Sequence, residues 1–167
     1  MGIGALFVRR GIKLKPLMFG GGQENGLRPG TENLPAIVEL AEALESAKKN
    51  REKESKRLMV LRDFFIAKIE KEIPEAILNS FAVSGLPNII NFSFPGKEAE
   101  FLALQLDAAG IAVATKSACL KNESESYVIK ALGDDPRRAT SSIRFSLGKD
   151  TKKTDLAYTI KVLCVLS

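Results

Sequence analysis

Ser117-Ala118-Cys119 stands in a short polar stretch, and downstream comes Ser142-Ile143-Arg144-Phe145-Ser146-Leu147-Gly148, which reads as a strand. A thiolate attacks sulfur, and a guanidinium grips a carboxylate through two parallel hydrogen bonds. A small substrate that carries both a transferable sulfur and a carboxylate calls for both groups. The chain contains no histidine, which removes imidazole bases and imidazole metal ligands from the possibilities. Lys116 and Lys121 flank Cys119, and a helix start expected near Ser124 adds positive potential, so the setting favours the thiolate. Cys164 instead falls in an apolar helical pattern with Leu156, Ile160 and Leu163, and is expected to be a small buried hydrophobe. Two thiols without histidine make neither a disulfide framework nor an evident zinc site, so no metal is expected.

The bulk properties are those of an ordinary water-soluble domain. At 167 residues, 45% hydrophobic and 27% charged, the chain suits one domain, or a small domain plus part of another. No apolar run approaches the ~18 residues that cross a bilayer, and the N-terminus lacks the three-part form of a secretory signal. A cytoplasmic location is expected, with no membrane partner. The net charge of +5 draws heavily on the run from Lys48 to Arg57. Glutamates interrupt that run and no aromatic residue is interleaved for base stacking. It reads as a solvated helix face, with Glu52 and Lys56 spaced for an i,i+4 pair, and not as a nucleic-acid surface.

The elements that must position Cys119 and Arg144 follow from periodicity. Ala5–Arg10 and Lys13–Lys15 read as short strands around Gly11. Gly20 to Asn33 is glycine-rich, irregular and polar, which suits close approach of backbone to a ligand or another subunit. Pro35 opens a long helical pattern with one apolar stripe at Ile37, Leu40, Ala41 and Leu44 and a second at Leu58, Leu61, Phe65 and Ile69. Pro74 ends it near Ile73. Such a helix is about 58 Å long at ~1.5 Å per residue, so its two apolar ends are expected to pack on different bodies. Beyond Pro74, Ala76–Asn79 and Asn88–Phe94 read as strands, the latter with Ile90, Phe92 and Phe94 on one face and Asn91 and Ser93 on the other. Lys97–Ala109 reads as a helix capped by Gly110, Ile111–Thr115 as a strand, Ser124–Leu132 as a short helix, Ser141–Leu147 as a strand and Thr151–Leu166 as a final helix. That alternation suggests an α/β fold, a small sheet with helices over one face.

Taken in order, Gly4-Ala5-Leu6-Phe7-Val8-Arg9-Arg10, the Gly20–Asn33 segment, Pro87-Asn88-Ile89-Ile90-Asn91-Phe92-Ser93-Phe94, Ser117-Ala118-Cys119 and Ser142–Gly148 closely resemble the cysteine desulfurases. These are pyridoxal-phosphate enzymes of the class V aminotransferase group, of the kind that serves iron–sulfur cluster assembly. The resemblance runs through nearly the whole chain. It implies that Cys119 is the nucleophile that takes sulfur from L-cysteine as a persulfide and leaves L-alanine. It implies that Arg144 holds the substrate carboxylate, and that Thr31 reaches across a homodimer to the neighbour's cofactor phosphate. A sulfur-acceptor or scaffold protein is the implied macromolecular partner. The same residues would serve a selenocysteine lyase, and a non-catalytic interaction module would keep the contacts without the chemistry.

The sequence departs from the family pattern at Thr115-Lys116, where small residues are usual, at Asn25, where arginine is common, and at Leu120-Lys121 after the cysteine. The family also carries its Schiff-base lysine in a Ser-x-His-Lys segment upstream of the Gly4 motif, and no histidine is present here. The resemblance therefore implies the C-terminal part of the transferase fold. Residues 1–34 would be a remnant of the large cofactor domain, 35–73 the long connecting helix, and 74–167 a small C-terminal α/β domain carrying the cysteine segment. The chain alone is expected to be inactive.

Overall fold

A computed structural model describes residues 2–80, 85–116, 126–133 and 135–166. The chain divides into two compact units, Met1–Arg51 and Glu52–Ser167. Ser117, Ala118, Cys119 and Lys121 lie outside the described residues.

In the first unit the expected strands at Ala5–Arg10 and Lys13–Lys15 do not form. The described residues from Gly2 to Gln23 are extended or turning chain, with one turn in which Ile12 N–H donates to the Arg9 carbonyl at 3.2 Å. Gly11 sits at φ +87° there. Strand character depends on a neighbour to pair with, and this segment has no ladder partner among the described residues. A 3-10 turn follows at Glu24–Gly26, with Asn25 at φ 57°. The left-handed region is one that asparagine tolerates better than most residues, which suits the residue standing where the family commonly has arginine.

Helix α1 runs Leu34–Glu72. Asn33 caps it, its side-chain oxygen accepting from Ala36 N–H at 3.2 Å, and Pro35 occupies the first turn, where no backbone donor is needed. Within the second unit, Leu58, Leu61, Phe65, Ile66, Ile69 and Ile73 face the core.

That core is built on an antiparallel sheet of order β1-β2-β3, with β1 Ile77–Leu78, β2 Ile89–Ser93 and β3 Ser142–Ser146. Every second residue of β2 and β3 enters it, Ile90 and Phe92 from one and Ile143 and Phe145 from the other, and Phe94 and Leu147, one residue past the end of each strand, continue the alternation. Helices α2 (Ala99–Ala108) and α5 (Lys153–Leu166) complete the layer through Leu102, Leu106, Leu156, Ile160 and Leu163. Phe65 meets Phe145 edge-on with ring centroids 5.0 Å apart, a geometry that adds about 0.5–1.5 kcal/mol to simple burial. Gly110 at φ +78° closes α2, and Ile111 N–H returns to the Leu106 carbonyl at 2.9 Å, the six-to-one bond of a Schellman ending.

Several expectations need correction. Ile111–Thr115 is not a strand but a single bridge, Ala114 to Arg144: the Ile111 N–H is spent on the Leu106 carbonyl in closing α2, and Ala114 alone of these residues exchanges backbone bonds with β3, while Ile111 and Val113 pack against the core. Helix α3 is only Tyr127–Lys130, begun by the Ser126 side chain. An unanticipated helix α4, Pro136–Thr140, is capped by Asp135, which accepts from Arg137 N–H at 3.0 Å. Arg57 leaves the solvated face to ion-pair with Glu54 and to donate to the carbonyls of Gly148, Lys149 and Thr151, so the turn after β3 is tied to α1. Cys164 is exposed, not buried: it follows Leu163 on α5, and one helical step of ~100° carries it off the core-facing stripe. Its thiol donates to Glu72 at 3.6 Å, and its pKa is raised by desolvation first and then by the Glu72 carboxylate.

Candidate active site

One face of the sheet is core. The other carries Ile89, Asn91 and Ser93 from β2 and Ser142, Arg144 and Ser146 from β3, because side chains alternate along a strand. In register, Asn79 at the end of β1 donates its N–H to the Asn91 carbonyl at 2.9 Å, and Asn91 stands opposite Arg144. The three form a row across the sheet. Arg144 is exposed, and its guanidinium has no hydrogen-bond or ion-pair partner among the described residues.

The backbone of Arg144 is held on the other side. Its N–H donates to the Ala114 carbonyl at 2.7 Å, and Ala114 N–H donates back to the Arg144 carbonyl at 3.1 Å. The segment leading to Ser117 is thus fastened to the residue that carries the free guanidinium. Lys116 adds a second fastening, its ammonium 2.5 Å from Glu100 on α2.

At the opposite end of the row a polar network is closed. Arg138 from α4 donates to the side-chain oxygen of Asn79 at 2.7 and 3.2 Å. Asn79 donates from its amide nitrogen to Asn91 Oδ1 and to Ser93 Oγ, both at 2.7 Å. Ser93 in turn donates to the Arg138 carbonyl at 2.8 Å. Asn79 is 7% exposed, so this saturation offsets the cost of burying its amide. Sequence reasoning passed over Asn79, Asn91 and Arg138. The outward alternation of Asn91 and Ser93 was its one available signal.

Thr31 belongs to the first unit and is exposed, beside Gly30 at φ +109°. Gln23 braces that glycine, its side-chain oxygen accepting from Gly30 N–H at 3.3 Å. Thr31 and Arg144 therefore lie in separate units, while Cys119 is outside the described residues.

Residues 1–158 match the aminotransferase class-V family. The chain belongs to that family. It is 46% identical over 163 residues to cysteine desulfurase IscS of Dictyoglomus turgidum, covering 97% of this chain and 41% of that protein. It is 37% identical over 163 residues to the cysteine desulfurase of Rattus norvegicus, covering 96% of this chain and 36% of that one. Among solved structures it superposes on a NifS-like protein with a TM-score of 0.82 at 32% identity, over 96% of this chain and 40% of the other. A NifS-like protein from Rickettsia africae gives 0.77 at 28% identity, over 91% and 39%. The fold is that of a class-V transferase, and the chain spans about two fifths of the length of the curated relatives it matches.

Class-V aminotransferases and the desulfurases among them depend in general on pyridoxal phosphate. The described residues do not assemble a site for that cofactor by themselves. No lysine among them is buried, whereas a Schiff-base lysine is activated by desolvation or a neighbouring cation. No helix of the described residues is long and apolar enough to cross a membrane.

Proposed function

We propose that the complete protein is a cysteine desulfurase and that this chain supplies its sulfur acceptor and its carboxylate clamp. The balanced reaction takes L-cysteine and the Cys119 thiol to L-alanine and a Cys119 persulfide. The carbon–sulfur bond of the substrate breaks, a sulfur–sulfur bond forms on Cys119, and the thiol's hydrogen is conserved between the products. Arg144 holds the substrate carboxylate, and Thr31 serves a cofactor phosphate across a homodimer. An acceptor or scaffold protein then takes the sulfur toward iron–sulfur cluster assembly. In domain terms, residues 1–34 belong with the cofactor domain, 35–73 form the connecting helix, and 74–167 are the small domain.

The observation that carries this reading is the paired backbone bond between Ala114 and Arg144. Cys119 is only five positions beyond Ala114, and each step spans at most ~3.6 Å. A thiol on so short a tether from the clamp suits a substrate whose sulfur and carboxylate belong to one small amino acid. The extent of the match to proteins named cysteine desulfurase supports the same chemistry. Lacking histidine, and hence the family's Ser-x-His-Lys segment, the chain by itself has no turnover in this reading.

The test uses the complete enzyme with L-cysteine. Peptide mapping by mass spectrometry should find one added sulfur on the Cys119 peptide, with an equivalent of alanine released. Alanine formed without sulfur on Cys119, or no alanine at all, would reject the proposal.

A further inference from the structure

The orientation of the Asn91 amide can be deduced from hydrogen-bond bookkeeping alone. A guanidinium donates and never accepts. The atom of Asn79 that faces Arg138 must therefore be its oxygen, and the atom that faces Asn91 must be its amide nitrogen. That nitrogen needs an acceptor, so Asn91 turns its oxygen toward Asn79 and β1. Its own NH2 group is left pointing the other way, toward β3. No hydrogen bond from that NH2 is formed with any described residue.

What stands on the β3 side is Arg144. Because Arg144 directs its N–H and carbonyl outward to Ala114, Asn91 and Arg144 form the non-hydrogen-bonded kind of antiparallel pair. In that kind the facing residues lie closest, with Cα atoms about 4.5 Å apart. Two side chains that end in unused donors are thus neighbours on an accessible face, and neither can satisfy the other. Two residues back on β3, the buried Ser142 hydroxyl also has no partner among the described residues, and, being both donor and acceptor, it does not bear on the count of donors. The Asn91 amide nitrogen and the Arg144 guanidinium are left without an acceptor among the described residues.

We infer that Asn91 is a second substrate-binding residue, donating from its amide nitrogen to the same carboxylate that Arg144 grips. Arg138 and Asn79 are positioning residues that lock the amide the right way round. The inference rests on the reading of Arg144 as a carboxylate clamp and adds to it a neutral donor with a fixed direction. A planar carboxylate held by a guanidinium on one side and an amide on the other is constrained in rotation as well as position. The strip thereby selects an α-carboxylate over a compact spherical anion.

The test reads binding directly and needs neither cofactor nor turnover, so its outcome is separate from that of the alanine and persulfide assay. The 167-residue chain, labelled with 15N, is titrated with sodium acetate at constant ionic strength against sodium chloride. The Asn91 side-chain NH2 and the Arg144 Nε–H resonances should move together on one isotherm with acetate, and far less with chloride. Asn91→Asp keeps the oxygen that Asn79 requires and replaces the donor by a carboxylate oxygen. It should weaken acetate binding at Arg144 about tenfold or more. Acetate that moves Arg144 and leaves the Asn91 amide still, or that moves neither, overturns the inference, as does an Asn91→Asp chain that binds acetate as well as the parent.

Discussion

Helix α1 carries two apolar stripes with the same helical spacing and opposite fates. Leu58, Leu61, Phe65 and Ile69 are at most 8% exposed, whereas Ile37 is 37% and Leu44 59% exposed. The contrast extends to the units that hold them. In the second unit the inward-facing apolar side chains of α1, α2, β2, β3 and α5 meet in one core, with Phe101, Leu104 and Val165 left outside it. In the first, Phe7, Leu17 and Phe19 are 85–96% exposed. A periodic stripe declares which face of a helix gains by burial; whether the burial happens depends on what is present to cover it. Apolar area of this size left in water is a surface that seeks a partner.

Core substitutions should separate the units most sharply. Phe65→Ala removes a fully buried ring and its contact with Phe145, at an expected cost of about 3–5 kcal/mol. Phe7→Ala, in a residue 90% exposed, should change stability by less than about 0.5 kcal/mol. Urea unfolding followed by circular dichroism checks both. Comparable losses would mean that Phe7 is packed in solution.

Association comes next. The chain should self-associate through its first unit, and Leu17→Glu with Phe19→Glu should shift sedimentation toward monomer without lowering the unfolding midpoint of the second unit. A parent chain that sediments as a monomer over a wide concentration range would break the link drawn between exposure and association.

Amide exchange should follow the same division on a finer scale. β2 and β3 should exchange orders of magnitude more slowly than the described residues between Gly2 and Gln23, which lack ladder bonds. Equal protection would contradict the unpaired conformation of that segment.

The smallest effect concerns the two thiols. With its pKa raised by desolvation and by Glu72, Cys164 is mostly protonated at neutral pH despite its exposure. Limiting iodoacetamide at pH 7 should therefore label Cys119 ahead of Cys164. A raised pKa means that the thiolate appears only as pH climbs past the ordinary thiol range, so Cys164 labelling should accelerate there. Glu72→Gln should bring that acceleration to lower pH. Preferential labelling of Cys164 at pH 7 would undo the reading of Cys119 as the reactive thiol.

Much of the second unit was legible in the sequence because its signals are redundant. Pro74 marks the end of α1, the alternation of Ile90, Phe92 and Phe94 marks β2, and Gly110 marks the end of α2. The failures have physical causes too. Ala5–Arg10 has strand-forming residues and, among the described residues, no strand to pair with, and Ile111–Thr115 begins with an N–H committed to closing α2, so that its pairing with β3 is confined to Ala114. The five-residue α4 is too short for periodicity to register, though Asp135-Pro136 is a good helix opening. Cys164 was misjudged by one position, enough on a helix to change its face. Of the site, Arg144 stood out through its chemistry. Asn91 did not, because its importance lies in which way an amide is turned, and that depends on Arg138, far along the chain.

The bonds between Ala114 and Arg144 have a last consequence, in entropy. A residue that must be ordered on binding gives up roughly 1–2 kcal/mol of backbone freedom. Arg144 has already surrendered it, held by Ala114 on one side and by the ladder through Ile143 and Phe145 on the other. Only the torsions of its side chain remain to be fixed when an anion arrives, so the contact keeps more of its strength as affinity.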